Sequence, residues 1–307
     1  MKKAIAAALA LTLVAAASGQ TVGVAQMPSS TTLGGRIDFE KIRTLPASSA
    51  AVNWLFANVP FLRQEGLLLG RSLSVKIPDD LDSLLLFSDG FAVGADNAFA
   101  MKASSSYVNG RINTAKIDKA IRATKGFKSA KAGSREALTG DFARGAWLAC
   151  PADGLLLVSS SEAAAKTALL VYEAKSPSLS PTSPIAGEIA SSAPMTFVAS
   201  GKGGAKNLSL ISGGLIQADA ELAVARLTET TPGTATLDLD LSFATPAAAA
   251  QVAATLNGLK MLAAFNKGAA LPDSLLKRLM ATQIIPSDKK VAISFNFSAS
   301  DIAGLAK

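Results

Sequence analysis

Two sets of side chains in this 307-residue sequence have the types and spacing to do chemistry. The first is cationic. Arg111, Lys116, Lys119, Arg122, Lys125, Lys128, Lys131 and Arg135 stand between positions 111 and 135 against one acid, Asp118, so that stretch carries +7. The whole chain also sums to +7, of which Lys2 and Lys3 supply two, so everything outside this stretch and those two lysines sums to −2. Charge concentrated this way builds a field that draws polyanions: DNA, sulfated or sialylated mucin glycan, or lipopolysaccharide. Lys116, Lys119 and Arg122 fall on one side of a helical repeat, away from Ile117 and Ile121. A solvated helix face that aids solubility gives the same pattern. Phe127 is the lone aromatic in the stretch, which leaves little for base stacking.

The second set is carboxylate. Asp238 and Asp240 alternate with Leu237, Leu239, Leu241 and Phe243. Strand periodicity puts both acids on one face, about 7 Å apart by strand rise. A dyad sharing one proton needs closer oxygens, and the polar face of a half-buried sheet has the same alternation. Asp89-Gly90 and Asp153-Gly154 are the other acids of interest, and Asp-Gly is also a turn dipeptide. The chain has no histidine, which removes Ser-His-Asp and Cys-His catalysis, histidine-ligated zinc and imidazole acid–base work. The single cysteine, Cys150, has no partner for an internal disulfide and sits in an apolar run, as a buried thiol does. Ser287-Asp288-Lys289-Lys290 has Ser-x-x-Lys spacing, but it precedes a strand, whereas that chemistry starts a helix with the serine. No phosphate loop, metal cluster or nucleotide fingerprint is present, so no cofactor and no metal are expected.

The elements that must position these groups follow a leader. Lys2 and Lys3, the apolar residues 5–16 and Ala17-Ser18-Gly19 have the order of a cleaved signal peptide. The apolar core is shorter than the roughly 20 residues of a membrane span. Residues 1–19 are expected to be removed, with cleavage near 17–19 and a periplasmic or secreted product. No lipidation cysteine lies nearby and no later segment reaches spanning length. Residues 20–35 read as a flexible segment. The prolines at 177, 181 and 184 make residues 175–184 a Ser/Pro linker, which divides the chain into domains at 36–174 and 185–307.

In the first domain a helix starts at Ser48 or Ser49, with Val52, Leu55, Phe56, Val59 and Leu62 at helical spacing, Pro60 disturbing its second half and Gly66 suited to its end. Strands follow over 83–88 and 97–103, then a helix over 113–124. A hairpin over 146–150 and 154–159 turns at Pro151-Ala152-Asp153-Gly154. Ser159-Ser160-Ser161-Glu162 reads as a capping box for a helix bearing Ala165, Ala168, Leu169 and Tyr172. The second domain has a strand over 195–200, then a hairpin over 222–229 and 234–243 around Pro232-Gly233. Thr245-Pro246 caps a long helix. A helix over 271–281 and the alternating Val291, Ile293, Phe295 and Phe297 close the chain.

The two orders match in outline, with 83–90 corresponding to 195–202. They predict two tandem α+β repeats, each a curved antiparallel sheet with helices packed on one face, joined by the Ser/Pro linker. This order resembles the tandem TATA-binding-protein-like domains of secreted proteins from mucus-dwelling gut Verrucomicrobia. The resemblance is carried by the Ala/Leu-rich leader, Ser88-Asp89-Gly90, the hairpin over 147–158 with its following helix, and Lys290-Val291-Ala292-Ile293-Ser294-Phe295-Asn296-Phe297-Ser298. It covers nearly all of the chain after the leader, by pattern. It implies mucin breakdown by an aspartic-type peptidase, and the namesake of the fold binds DNA. Against the peptidase pattern of Asp-Thr-Gly or Asp-Ser-Gly used twice, Asp89 and Asp153 lack the intervening hydroxyl, and Gly201 stands where a second Asp89 would. Three readings follow: a secreted protein that contacts a polyanion through a basic helix, an aspartic-type hydrolase using acids among Asp89, Asp153, Asp238 and Asp240, and an envelope protein without a ligand.

Overall fold

Segments rich in Leu, Val, Ile and Phe form most of the strands in the computed structural model, which describes residues 22–58, 75–77, 79–93, 99–143, 145–201, 219–265 and 273–304. In chain order the strands are β1 (Leu33–Asp38), β2 (Leu81–Ser88), β3 (Gly90–Val93), β4 (Phe99–Lys102), β5 (Ser105–Gly110), β6 (Lys128–Ala132) and β7 (Arg135–Thr139). They continue with β8 (Trp147–Ala152), β9 (Leu155–Ser159), β10 (Met195–Ser200), β11 (Ala220–Thr231), β12 (Thr234–Phe243), β13 (Gln283–Ser287) and β14 (Lys290–Ser298). The helices are α1 (Phe39–Ile42), α2 (Pro46–Asn58), α3 (Thr114–Arg122), α4 (Glu162–Tyr172), α5 (Pro184–Ile189), α6 (Pro246–Phe265), α7 (Asp273–Ala281) and α8 (Ala299–Gly304).

Twelve strands make one antiparallel sheet in the order β13-β14-β12-β11-β10-β1-β2-β5-β9-β8-β7-β6, and β3 pairs with β4 apart from it. The class is the expected α+β. The strands that the sequence aligned as equivalents, β2 and β10, flank β1 on its two sides, with Leu33 opposite both Ser88 and Ala199. The expectation of a loose segment over 20–35 is therefore corrected: β1 is the seam between the halves. Its Gly-Gly pair hides the strand from periodicity but allows close packing. A Cβ on Gly35 would lie 2.4 Å from the Phe197 ring, and one on Gly34 would lie 2.9 Å from the Met27 side chain.

The Ser/Pro stretch is held as well. The Leu179 amide donates to the Met27 carbonyl at 2.7 Å and the Ser29 amide to the Pro177 carbonyl at 3.2 Å, while Leu179 and Met27 are buried. It joins two halves of a single sheet.

Alternate side chains of the central strands enter different cores. Leu84, Leu86, Val108, Leu156 and Val158 pack with residues of α1, α2 and α3. Leu85, Phe87, Tyr107, Leu155 and Leu157 pack with residues of α4 and α5. Burial on both faces explains the unbroken apolar runs at 84–87 and 155–158, each such side chain stabilising the fold by about 1.5–3 kcal/mol. Helices on a single face describe the β12–β14 end, where α6 packs over Leu241, Phe243 and Val291. In the middle of the sheet that expectation is corrected, because both faces are covered.

Local capping follows the sequence in part. Asn113 caps α3 through the Lys116 amide at 2.8 Å, and Thr245 caps α6 through the Ala248 amide at 3.2 Å. Ser161 caps α4 through the Ala164 amide. Glu162 instead pairs with Lys166 at 2.6 Å, so the expected capping box is replaced by a plain cap. Helix α2 begins at Pro46, before Ser48, because Glu229 supplies its cap from the other half: its carboxylate accepts from the Ala47 and Ser48 amides at 3.3 and 2.7 Å. The residues expected to continue that helix, Val59, Pro60, Leu62 and Gly66, lie outside the described residues, as does the expected leader over 1–19.

Candidate polyanion-binding edge

The basic stretch does not form one basic helix. Helix α3 ends at Arg122, and the chain then turns through Lys125 into the hairpin β6–β7, whose outer strand β6 is an edge of the sheet. The amphipathic spacing of α3 buries Ile117 and Ile121 and leaves Lys116 and Lys119 exposed. In the hairpin Lys131 stands opposite Glu136, and Lys128 opposite Thr139. Lys128 and Lys131 differ by an odd number of residues, so they leave the edge on opposite faces. The cations therefore rim the edge instead of sharing one surface.

The structure divides the eight by how they are engaged. The three arginines are paired. Arg111 reaches the Asp79 carbonyl at 2.6 Å and Asp80 at 3.4 Å. Arg122 binds Asp118 at 2.8 Å and Glu136 at 3.1 Å, lies 5.8 Å from the Phe127 ring centre, and has its pKa raised by those two acids. Arg135 meets Glu173 at 3.6 Å and lies 5.1 Å from the Tyr172 ring centre. Among the described residues no ion pair forms with Lys116, Lys119, Lys125, Lys128 or Lys131, and all five are exposed. Lysine on an edge strand also deters pairing with another sheet.

The hairpin is latched at its tip. Gly133 turns it with φ +65°, and a Cβ there would lie 2.0 Å from the Glu173 carboxylate, so this position requires glycine twice over. Glu173, just past α4, accepts from the Ser134 amide at 3.0 Å and its hydroxyl at 2.5 Å, and meets Lys175 at 2.6 Å. Its carboxyl is pushed down to about 2, by Lys175 first and then by Ser134. Sequence reasoning missed this residue. The signal available was a lone glutamate after a helix whose own last turn carries no cation.

At the far side of the hairpin, β7 pairs with β8 at one position, Leu138 opposite Leu148. Beyond it Pro151 has no amide to offer, β8 is irregular between Ala149 and Ala152, and the strands part. The gap is a cleft of about 560 Å³ lined by Asp118, Arg122, Lys131, Arg135, Glu136 and Cys150, among others. Cys150 donates to the Thr114 carbonyl at 3.6 Å. Burial, with Asp118 adding, pushes its thiol up to about 12, so it stays protonated.

The four acids singled out from sequence stand apart. Asp89, past the end of β2, accepts from Ser30 at 2.7 Å. Asp153, in the β8–β9 turn, accepts from Thr114 at 3.2 Å and from the Gly154 amide at 3.1 Å. That turn lies beside Gly110, which pairs with Leu81 at the start of β2, so the length of an eight-residue strand, roughly 25 Å, separates it from Asp89. Asp238 and Asp240 lie four strands from β2, roughly 19 Å away. Asp238 accepts from Ser294 at 2.7 Å and Asp240 from Arg226 at 2.6 Å; Arg226 also binds Glu188. No two of the four exchange a hydrogen bond among the described residues. The Ser287 to Lys290 stretch is the β13–β14 hairpin turn, with Asp288 at φ +50°. Among the described residues no three His, Cys, Asp or Glu side chains gather as a metal site, and no helix is long and apolar enough to cross a membrane.

The chain matches no protein-family model and no curated protein. It is similar to TP0453 in two crystal forms. Form III aligns with a TM-score of 0.51 and 11% identity over 94% of this chain and 98% of that one. Form I aligns with a TM-score of 0.50 and 11% identity over 94% and 97%. The likeness is one of fold alone, spanning both halves, and it bears out the α+β, TATA-binding-protein-like class.

Proposed function

We propose that this is an exported protein that binds a polyanion along the α3–β6 edge. The observation that carries the reading is the set of five exposed lysines, Lys116, Lys119, Lys125, Lys128 and Lys131, without an acid partner among the described residues. Neighbouring arginines are spent on structure: Arg122 ties α3 to β7, and Arg135 ties the hairpin to α4. Unpaired ammonium groups are free to displace counterions from a polyanion, and Lys binds such charge as a mobile point donor. DNA and acidic glycan share this chemistry. The leader supports a periplasmic or secreted location. The aspartic-type reading draws no support from Asp89, Asp153, Asp238 and Asp240, each of which has its own hydrogen-bond partner.

Retention on an immobilised polyanion tests the proposal. Wild-type protein is expected to elute from heparin late in a salt gradient, and a variant with all five lysines changed to glutamine is expected to elute near the void. Changing the exposed Lys289 and Lys290 instead serves as the control and should shift elution little. Equal shifts in the two variants would contradict a specific edge.

A further inference from the structure

Resting on that reading, we infer that the β7–β8 cleft seats one acidic sugar, so that the preferred polyanion is an acidic oligosaccharide, a nucleic acid meeting the edge lysines alone. The cleft holds about 560 Å³ and presents both signs of charge. Lys131 has no ion pair among the described residues and three donors to offer. Arg122 directs Nε and Nη2 to Asp118 and Glu136, and Nη1, with no hydrogen-bond partner among the described residues, is left for an incoming carboxylate or sulfate ester. Such an anion suits the cations, in charge-assisted hydrogen bonds. The acids set the class. Asp118 and Glu136 line the same cleft with side chains 40% and 32% exposed. Carboxylates repel any incoming anion, but an acidic sugar also offers them hydroxyl donors to hold, which the phosphate backbone of DNA does not. Among the described residues no aromatic ring lines the cleft, so an unstacked base would find no platform there. The lysines of the edge then take the flanking anionic units, and the cleft reads one unit by its hydroxyls.

Cys150 makes the site testable, since it is the sole thiol of the chain and part of the lining. The probes are a sulfated, uronate-bearing tetrasaccharide and a 20-nucleotide DNA, each applied to the whole exported chain. Saturating tetrasaccharide is expected to slow reaction of Cys150 with an organomercurial at least fivefold, and DNA is expected to leave it unchanged. Glu136→Gln gives opposite signs for the two chemistries. It should weaken tetrasaccharide binding about tenfold by loss of a charged acceptor and tighten DNA binding by removing a repulsive charge. If both ligands bind but Cys150 stays fully reactive, or Glu136→Gln tightens both, the cleft assignment is overturned while the polyanion reading stands. If neither probe binds the wild-type protein at low salt, both are overturned.

Discussion

Glu229 caps a helix from 182 residues away, holding the Ala47 and Ser48 amides and also the Gly233 amide of its own hairpin turn at 2.6 Å. Burial raises its carboxyl pKa, but these hydrogen bonds outweigh it and leave the group below its ordinary value. Glu229→Gln is expected to cost about 1–3 kcal/mol in denaturant unfolding. Because the folded pKa is the lower one, the contribution is complete above the unfolded carboxyl value of about 4.3. It fades as pH falls through the folded value, and the variant should lose this part of the acid dependence. Asp301 is a second such group. It is buried and binds Arg278 at 2.7 Å and the Ser298 amide at 2.8 Å. None of these roles was legible in sequence, since a glutamate inside a strand run carries no mark of the distant amides it will meet.

At the scale of elements, the legible ones carried their own periodicity. Strand β14 alternates strictly, α3 spaces Ile117 and Ile121 by one turn, and the β11–β12 hairpin turns at Pro232-Gly233. The elements that escaped depend on partners. Strand β1 has two glycines where side chains would announce it and is defined by Phe197, Met27 and Ile185 closing on it. Strands β6 and β7, for which the sequence predicts no element, exist because Gly133 can turn and Glu173 can latch. Releasing that latch with Glu173→Gln should speed amide exchange at Ser134 and along β6 while α4 stays protected. In the wild-type chain, exchange at Ser134 should rise as pH drops from about 4 toward 2, after correction for intrinsic rates, because the carboxyl pKa is held at about 2. A tip that exchanges equally in both proteins would show that the latch does not order the hairpin. The site inherits this history: the cationic cluster was visible, but its division into paired arginines and unpaired lysines required the acids at 136 and 173 to be brought in from elsewhere.

Across the whole molecule, β1 places strands from both halves in one ladder, so the halves should unfold together. Both tryptophans, Trp54 and Trp147, lie in the first half, which makes fluorescence a local probe and far-ultraviolet circular dichroism a global one. Coincident urea midpoints are expected; a separate, earlier loss of dichroism would mean that the second half unfolds independently. The sheet ends differ in character. One finishes at β13, short and interrupted by Pro286, and the other at β6 with its rim of lysines. The proposed binding site is the second end, and the salt dependence of duplex DNA or heparin affinity tests that most directly. Five ammonium groups that displace counterions predict a plot of log affinity against log salt for duplex DNA with a slope of about −4 to −5, shrinking by about one with each lysine among the five changed to glutamine. A slope near zero, or one unmoved by those five changes, would contradict it.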